Sequence, residues 1–355
     1  MKMKNDFARH SIPETAPLRE ALKALNALSG ESMTLFVLSD DSKLSGTVTD
    51  GDIRRGILRG FSLDSQVGEV MNRSFTAVRN KEELREKIKF ARRKNLSMLP
   101  VIEDDRLIDI IDLNRYKTVL PVDAVMMAGG SGERLRPMTD SVPKPLLQVG
   151  GVPIIEYNLR ALESNGIEKI FITINYLADV MKRYFDQRRG RADINCVEEP
   201  CKLGTIGSLS LIDTFGNDHV LVMNSDLLTE IDFEGLYDHH IEKDADITVA
   251  TVPYSVRVPF AIMKTSGDRV TGIEEKPTFN YFANAGVYLI RRRLIGEMKK
   301  GEYKDAPDFI TECINTGSKV TFKQIEGLWI DIGSPDDFRY AEELMKRRNQ
   351  KPSYG

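Results

Sequence analysis

The 355-residue sequence holds three cysteines, four histidines and one tryptophan, and each scarcity excludes something. Cys196, Cys201 and Cys313 cannot form an even disulfide framework, their spacing matches no zinc pattern, and the few histidines offer no completing ligands. Thiols of this kind suit a reducing cytoplasm. No apolar run approaches the ~20 residues that span a bilayer. The opening MKMKNDFARHS has positive charge but no apolar stretch behind it, so no signal peptide is read and a cytoplasmic location is expected. Neither sign of charge dominates: 50 basic and 53 acidic residues leave a net charge of −3, which argues against a nucleic-acid or membrane-surface binder. No Ser-His-Asp or Cys-His set is visible, so covalent catalysis has no obvious agent.

What is present divides into two grammars. The first ~120 residues contain a weak internal repeat. LFVLSDDSKLSGTVTDGDIRRGIL and MLPVIEDDRLIDIIDLNRYKTVL each show a strand, an acidic turn, a second strand and a polar helix start. A helix-period segment precedes each copy, APLREALKALNAL and KEELREKIKFARRKN. Pro121 marks a boundary, giving expected domains of 1–120 and 121–355. From Val122 onward strands and helices alternate: VDAVMMA, the helix IIEYNLRALESNG stopped by Gly166, KIFITIN, the helix LADVMKRYF, DINCVEE, the helix IGSLSLIDTF and HVLVMNSD. This argues for an α/β fold with a Rossmann-like, mostly parallel sheet, whose function sits at the carboxyl ends of the strands. From Asp246 the pattern turns to hairpins, read as a substrate-covering subdomain. WIDIGSPDDF closes with a strand end and a capped helix. His239 and His240 read as a solvated helix end, and Trp329 as packing beside the site.

Two strand ends carry the chemistry. MAGGSGERLRPMTDSVPKPLL follows the first strand but lacks the Gly-Lys-Ser/Thr ending of a P-loop, and Leu135 stands where a dinucleotide fingerprint has its third glycine. The amides of Gly129, Gly130 and Gly132 can approach a phosphate closely. Arg134 and Lys144 add charge suited to a polyphosphate, and the prolines flanking Lys144 stiffen the segment. Asp226 and Asp331 each end an apolar run. Taken singly each is also an ordinary helix N-cap. Together, opposite a phosphate loop, they supply what Mg²⁺ on a nucleotide needs.

AGGSGERLRPMT…PKPLL resembles the signature loop of the sugar-1-phosphate nucleotidyltransferases. The resemblance recurs in order along ~230 residues: LGTIGSL resembles the base-side loop, NSD and WIDIGSPDDF the two metal segments, EEKP and NAGVY the sugar-phosphate strands. It implies attack of a sugar-1-phosphate oxygen on the α-phosphorus of a nucleoside triphosphate, releasing pyrophosphate. By resemblance, Ala128, Gly129, Gly130, Gly132, Gly204 and Thr205 bind the nucleotide. Arg134 orients the triphosphate, Lys144 sits near the α-phosphate, and Asp226 and Asp331 ligate Mg²⁺. Lys276 holds the sugar phosphate, with Glu275 and Asn284 beside it. Three positions depart from the pattern: Glu133 stands where threonine is common, Ser225 where glycine precedes the metal aspartate, and Ala261 where glycine follows VPF. An acid beside polyphosphate is unfavourable unless it turns outward, so Glu133 is given no role.

The N-terminal repeat resembles a tandem cystathionine-β-synthase (CBS) pair, which implies a regulatory or dimerising module and a homo-oligomer. Thr49 and Asp52 match that motif's ribose-binding positions for an adenine nucleotide, with Arg54 or Arg55 meeting phosphate. Asp112 and Arg115 occupy the matching places of the second copy and argue against a second site. The joining of CBS pair and short transferase, with EEPCKLGTIGSL, resembles guanylyltransferases of bacterial surface-sugar pathways. GTP with a hexose or aminohexose 1-phosphate, mannose or glucosamine for example, is therefore expected. UDP-, dTDP- or CDP-sugar formation, and an inactive nucleotide-sensing protein, remain open alternatives.

Overall fold

The computed structural model describes residues 7–29, 32–80 and 82–350, and the chain divides into two compact units, Met1–Val119 and Leu120–Gly355. In the first unit β1 (Ser11–Pro13), β2 (Thr34–Leu38) and β3 (Leu44–Thr49) form a three-stranded sheet, and β4 (Met98–Glu103) pairs with β5 (Arg106–Asp112). The acidic turn between β4 and β5 places both Asp104 and Asp105 at positive φ, the conformation a two-residue hairpin turn demands. Helices α1 (Leu18–Ala27), α2 (Asp50–Leu58), α3 (Val67–Val70) and α4 (Leu84–Arg93) cover these strands. Leu18, Ala21 and Leu25 of α1, and Leu84, Ile88 and Ala91 of α4, are buried at the three- and four-residue spacing of one helix face. Phe36 and Leu44 of the first copy share a core with Ile102, Leu107 and Ile110 of the second.

The second unit is built on a seven-stranded sheet. Its strands are β6 (Val122–Ala128), β9 (Lys169–Ile174), β10 (Asp193–Glu198), β11 (His219–Asn224), β13 (Ile247–Arg257), β16 (Thr278–Arg291) and β17 (Val320–Gln324). The spatial order is β10-β9-β6-β11-β16-β13-β17, with only β16 antiparallel to its neighbours. Two short ribbons stand apart: β7 (Gln148–Val149) with β8 (Val152–Pro153), and β12 (Leu227–Thr229) with β18 (Trp329–Asp331). Beyond the sheet, β13 and β16 continue as a ribbon, and β14 (Ile262–Ser266) pairs with β15 (Arg269–Glu274) between them. The helices are α5 (Ile154–Ser164), α6 (Ala178–Gln187), α7 (Phe233–Glu242), α8 (Arg292–Gly296), α9 (Ala306–Asn315) and α10 (Pro335–Gln350). One buried cluster joins Met126, Ile172, Leu159 and Met181; a second, on the other face, joins Val125, Val222, Leu209 and Phe309. The fold is thus α/β with a mostly parallel sheet covered on both sides. Gly166, at φ +69°, follows α5 as the C-terminal stop. Ser334 and Asp337 form the reciprocal cap of α10.

Two expectations are corrected. IGSLSLIDTF is not an α-helix but a 3₁₀ turn over Gly207–Leu211. The amides of Ile206 and Gly207 are taken by the Lys304 carbonyl, 3.1 Å from each, which draws the segment out of helical register. His240 is not solvated: it is fully buried, its Nδ1 lies 2.8 Å from Thr248 Oγ1, and burial pushes its pKa down to about 4. Among the described residues no helix is long and apolar enough to cross a membrane.

Candidate functional site

The glycine loop leaves the sheet at the end of β6. Gly132 takes φ +63°, and a methyl there would lie 2.9 Å from Thr139 Cγ2 and 3.2 Å from Lys144 Cβ. Only glycine therefore lets the loop fold back onto the Lys144 segment. Thr139 Oγ1 secures it by donating to the Gly132 carbonyl at 2.9 Å. The adjacent strand β11 is tied to the same place, because Ser225 N and Oγ donate to the Met127 carbonyl at 3.2 and 2.7 Å. Asp226 comes next. The β12–β18 ribbon sets Leu227 opposite Asp331, and Ile332 N donates to the Asp226 carbonyl at 3.2 Å. The two aspartates, a hundred residues apart in sequence, thereby become neighbours.

Lys144 Nζ forms an ion pair with Asp226 Oδ2, the side chains only 13% and 21% exposed. Burial, reinforced by the charge of Asp226, pushes the pKa of Asp331 up, while Lys144 and Arg134 pull it down. Arg134 is exposed and lies against the chain after β18, where a methyl on Gly333 would be 3.2 Å from Nη2. Glu133 is exposed, accepting from Ser131 Oγ at 3.1 Å and standing 4.0 Å from Lys202 Nζ.

Beside this cluster lies a cleft of about 360 Å³, lined by Gly129, Gly130, Gly204, Thr205 and Asp226, with Glu199, Tyr303 and Asp305. Gly129 packs closely on Glu199: a methyl there would lie 2.7 Å from Oε1 and the carboxylate would have to shift. Glu199 is 7% exposed, and burial pushes its pKa up. Gly204 takes φ +78° with its α-carbon against the Lys304 carbonyl. Glu199 and Asp305 are absent from the sequence reading. Glu199 stands one residue beyond β10, so the rule that sites form at carboxyl ends of parallel strands could have found it. Nothing local signals Asp305.

Ala128 ends β6 without lining the cleft. Glu275 and Lys276 stand outside it on the exposed turn after β15, 3.9 Å from each other. Asn284 uses its side chain within β16, donating to Tyr288 OH at 2.8 Å and accepting from Gly286 N at 2.9 Å. In the first unit a cavity of about 550 Å³ is lined by Thr49, Asp52 and Arg55. Thr49 caps α2 and donates to Asp52 Oδ2 at 2.6 Å, while Arg55 reaches Asp52 Oδ1 at 2.7 Å. Arg54 pairs with Asp50 at 2.9 Å and does not line the cavity. In the second copy Arg115 pairs with Asp112 at 3.0 Å.

Among the described residues no group of three or more His, Cys, Asp or Glu side chains gathers as a metal cage. Asp226 and Asp331 instead make a two-carboxylate pair in which Asp331 ionises with difficulty beside its neighbour. Such a pair fits a hard divalent cation that takes its remaining ligands from phosphate and water.

The model of the nucleotidyl transferase family matches residues 123–348, and that of the CBS domain residues 3–59. The mannose-1-phosphate guanylyltransferase of Mycobacterium tuberculosis is 32% identical over 235 residues, 63% of this chain and 65% of that protein. The mannose-1-phosphate guanyltransferase of Aspergillus fumigatus is 30% identical over 245 residues, 64% of this chain and 66% of that one. The matched region thus spans just under two thirds of these curated relatives. The crystal structure of HddC from Yersinia pseudotuberculosis, complexed with GMP-PN, shares the fold: TM-score 0.50 and 23% identity, covering 63% of this chain and all of that one.

Proposed function

Because the chain belongs to the nucleotidyl transferase family, we propose that it transfers a nucleotidyl group from GTP to a hexose or aminohexose 1-phosphate, giving an NDP-sugar and pyrophosphate. The observation that carries this reading is the junction of the glycine loop after β6 with the Lys144–Asp226–Asp331 cluster. The nucleophile needs little activation, since a phosphate monoester is mostly dianionic at pH 7, its second pKa being ~6. The barrier lies in bringing anion to anion, and the chain's own groups answer it by position and charge. Amides of Gly129 and Gly130 cradle phosphate, Arg134 orients the triphosphate and the departing pyrophosphate, and Lys144 faces the α-phosphate. Asp226 and Asp331 would hold Mg²⁺, which when bound neutralises charge on the phosphate oxygens.

Glu199 supports guanine. A buried carboxylate at the cleft accepts two hydrogen bonds side by side, and guanine's Watson–Crick edge presents N1–H and the 2-amino group as adjacent donors. The relatives named for mannose-1-phosphate support a hexose phosphate. Glu275 and Lys276, exposed on their turn, and Asn284 are assigned to the sugar phosphate. The N-terminal unit, which carries a CBS domain, is assigned as a tandem pair with at most one adenine nucleotide at Thr49, Asp52 and an arginine, Arg55 being the one that lines the cavity. Apolar side chains exposed on the β13–β16 ribbon and on the β14–β15 hairpin with its lead-in, Phe282, Met263, Ile273 and Phe260 among them, support a homo-oligomer, and the free thiols suit the cytoplasm. The test is pyrophosphate release from a panel of triphosphates and sugar phosphates with Mg²⁺. Release with GTP and one hexose phosphate is expected; no release from any pair would overturn the reading.

A further inference from the structure

Asp305 occupies the N-cap position of α9, yet its side chain makes no capping bond to that helix. An aspartate there ordinarily accepts from its own helix's first amides. Here Oδ1 accepts instead from Thr205 N at 2.9 Å and Thr205 Oγ1 at 3.2 Å, and Oδ2 accepts from Tyr303 OH at 2.8 Å. Thr205 returns the bond: its Oγ1 accepts from Ala306 N at 2.8 Å, capping α9 in the aspartate's place. The two residues have exchanged partners across a gap of a hundred positions. Hydrogen bonding from Thr205 and Tyr303 holds the Asp305 pKa below the usual carboxylate range, so the acceptor is ionised at neutral pH.

A second set of bonds fixes the same loop through backbone alone. Lys304 N donates to the Leu203 carbonyl at 2.9 Å, and the Lys304 carbonyl accepts from Ile206 and Gly207. Loss of the Asp305 carboxylate therefore leaves the loop attached at both ends. What it frees is Thr205 and the peptide joining it to Gly204, both of which line the cleft.

We infer that Asp305 is a positioning residue for nucleotide recognition: through Thr205 it holds the base-side loop in its binding conformation, while taking no part in sugar-phosphate binding or in the chemistry. The inference rests on the nucleotide reading of the cleft. Hydrogen bonds to an ionised group are the strong ones, and a loop held before the ligand arrives loses less entropy on binding.

The test uses the full chain with Mg²⁺, comparing wild type, Asp305→Ala, Thr205→Val, the double variant and Asp305→Asn. GTP binding is measured by calorimetry and both substrates by steady-state kinetics. Asp305→Ala and Thr205→Val should each weaken GTP binding and raise its KM about tenfold. The double variant should lose no more than either single one. KM for the sugar phosphate and kcat should stay within about twofold. Asp305→Asn, which keeps one acceptor for Thr205 but no charge, should recover part of the affinity. Unchanged GTP affinity, additive losses in the double variant, or equal damage to both substrates would overturn the inference and leave the nucleotide reading standing. A folded wild-type chain that binds none of GTP, UTP, CTP, dTTP and ATP would overturn that reading and this inference with it.

Discussion

Replacing Gly204 by alanine places a methyl group 2.5 Å from the Lys304 carbonyl oxygen, and the residue would have to keep φ +78°. A left-handed conformation costs a non-glycine residue roughly 1–3 kcal/mol. The oxygen cannot simply withdraw, because it accepts from both Ile206 N and Gly207 N. Moving it sacrifices those two bonds, at roughly 0.5–1.5 kcal/mol each. The total, about 2–6 kcal/mol, corresponds to a fall of at least about 4 °C in Tm for a unit of this size. Gly130 provides the contrast within the same cleft, since a methyl there meets nothing within 4 Å. Gly130→Ala should leave Tm within about 2 °C of wild type. Thermal unfolding followed by circular dichroism, with GTP binding by calorimetry, reads both effects. Gly204→Ala should lose stability and GTP affinity together. A Gly204→Ala protein that melts within 1 °C of wild type and binds GTP normally would refute the reasoning.

Glu199→Gln replaces one of the two acceptors with a donor, and guanine contacts of this kind are worth about 1–3 kcal/mol. It should lower kcat/KM for GTP by roughly 5–150-fold and narrow the preference for GTP over ITP, which lacks the 2-amino group; an unchanged GTP-to-ITP ratio would remove Glu199 from base recognition. Asp331 has its pKa raised in the folded state, so the folded chain holds the proton more tightly than the unfolded one and stability falls as pH rises through the folded pKa. In metal-free buffer Asp331→Asn should therefore raise Tm at pH 7, with the gain shrinking as pH falls, while turnover with Mg²⁺ is lost. A lower Tm at pH 7 would contradict the like-charge account. His240 has the opposite sign: its pKa, lowered from 6.5 to about 4, makes the unfolded chain bind more protons, so stability is lost as pH falls across that interval. The loss should approach about 3 kcal/mol, and His240→Gln should flatten it in urea titrations at pH 4.5 and 7.

Sequence pattern carried the sheet further than it carried the site. β6 was readable because a strand buried on both faces reads as a nearly unbroken apolar run, interrupted in VDAVMMA by Asp123 alone. α1 and α4 were readable because one face of each is buried. The segment after Gly204 was misread for a reason no local pattern contains: its amides are satisfied by Lys304, a hundred residues later. His240 was misread because helix position alone does not reveal that Thr248 covers it. At the site, Asp226 and Asp331 were legible as strand ends, but their adjacency depends on the β12–β18 ribbon. Glu199 was passed over within EEPCKLGTIGSL, since its role comes from burial against Gly129 and not from its own neighbours. Arg55 faces the cavity of the first unit where Arg54 does not, a distinction set by one step of helix rotation.

Nucleotidyl transfer is assigned to the Lys144–Asp226–Asp331 cluster beside the glycine loop. Pyrophosphate release by wild type and Asp226→Asn, with GTP, Mg²⁺ and a hexose 1-phosphate, tests it most directly. Wild type should turn over, and the variant, folded to the same Tm within a few degrees, should lose roughly a hundredfold or more in rate, the effect of removing about 3–4 kcal/mol of barrier lowering. A folded Asp226→Asn protein releasing pyrophosphate at the wild-type rate would contradict the account.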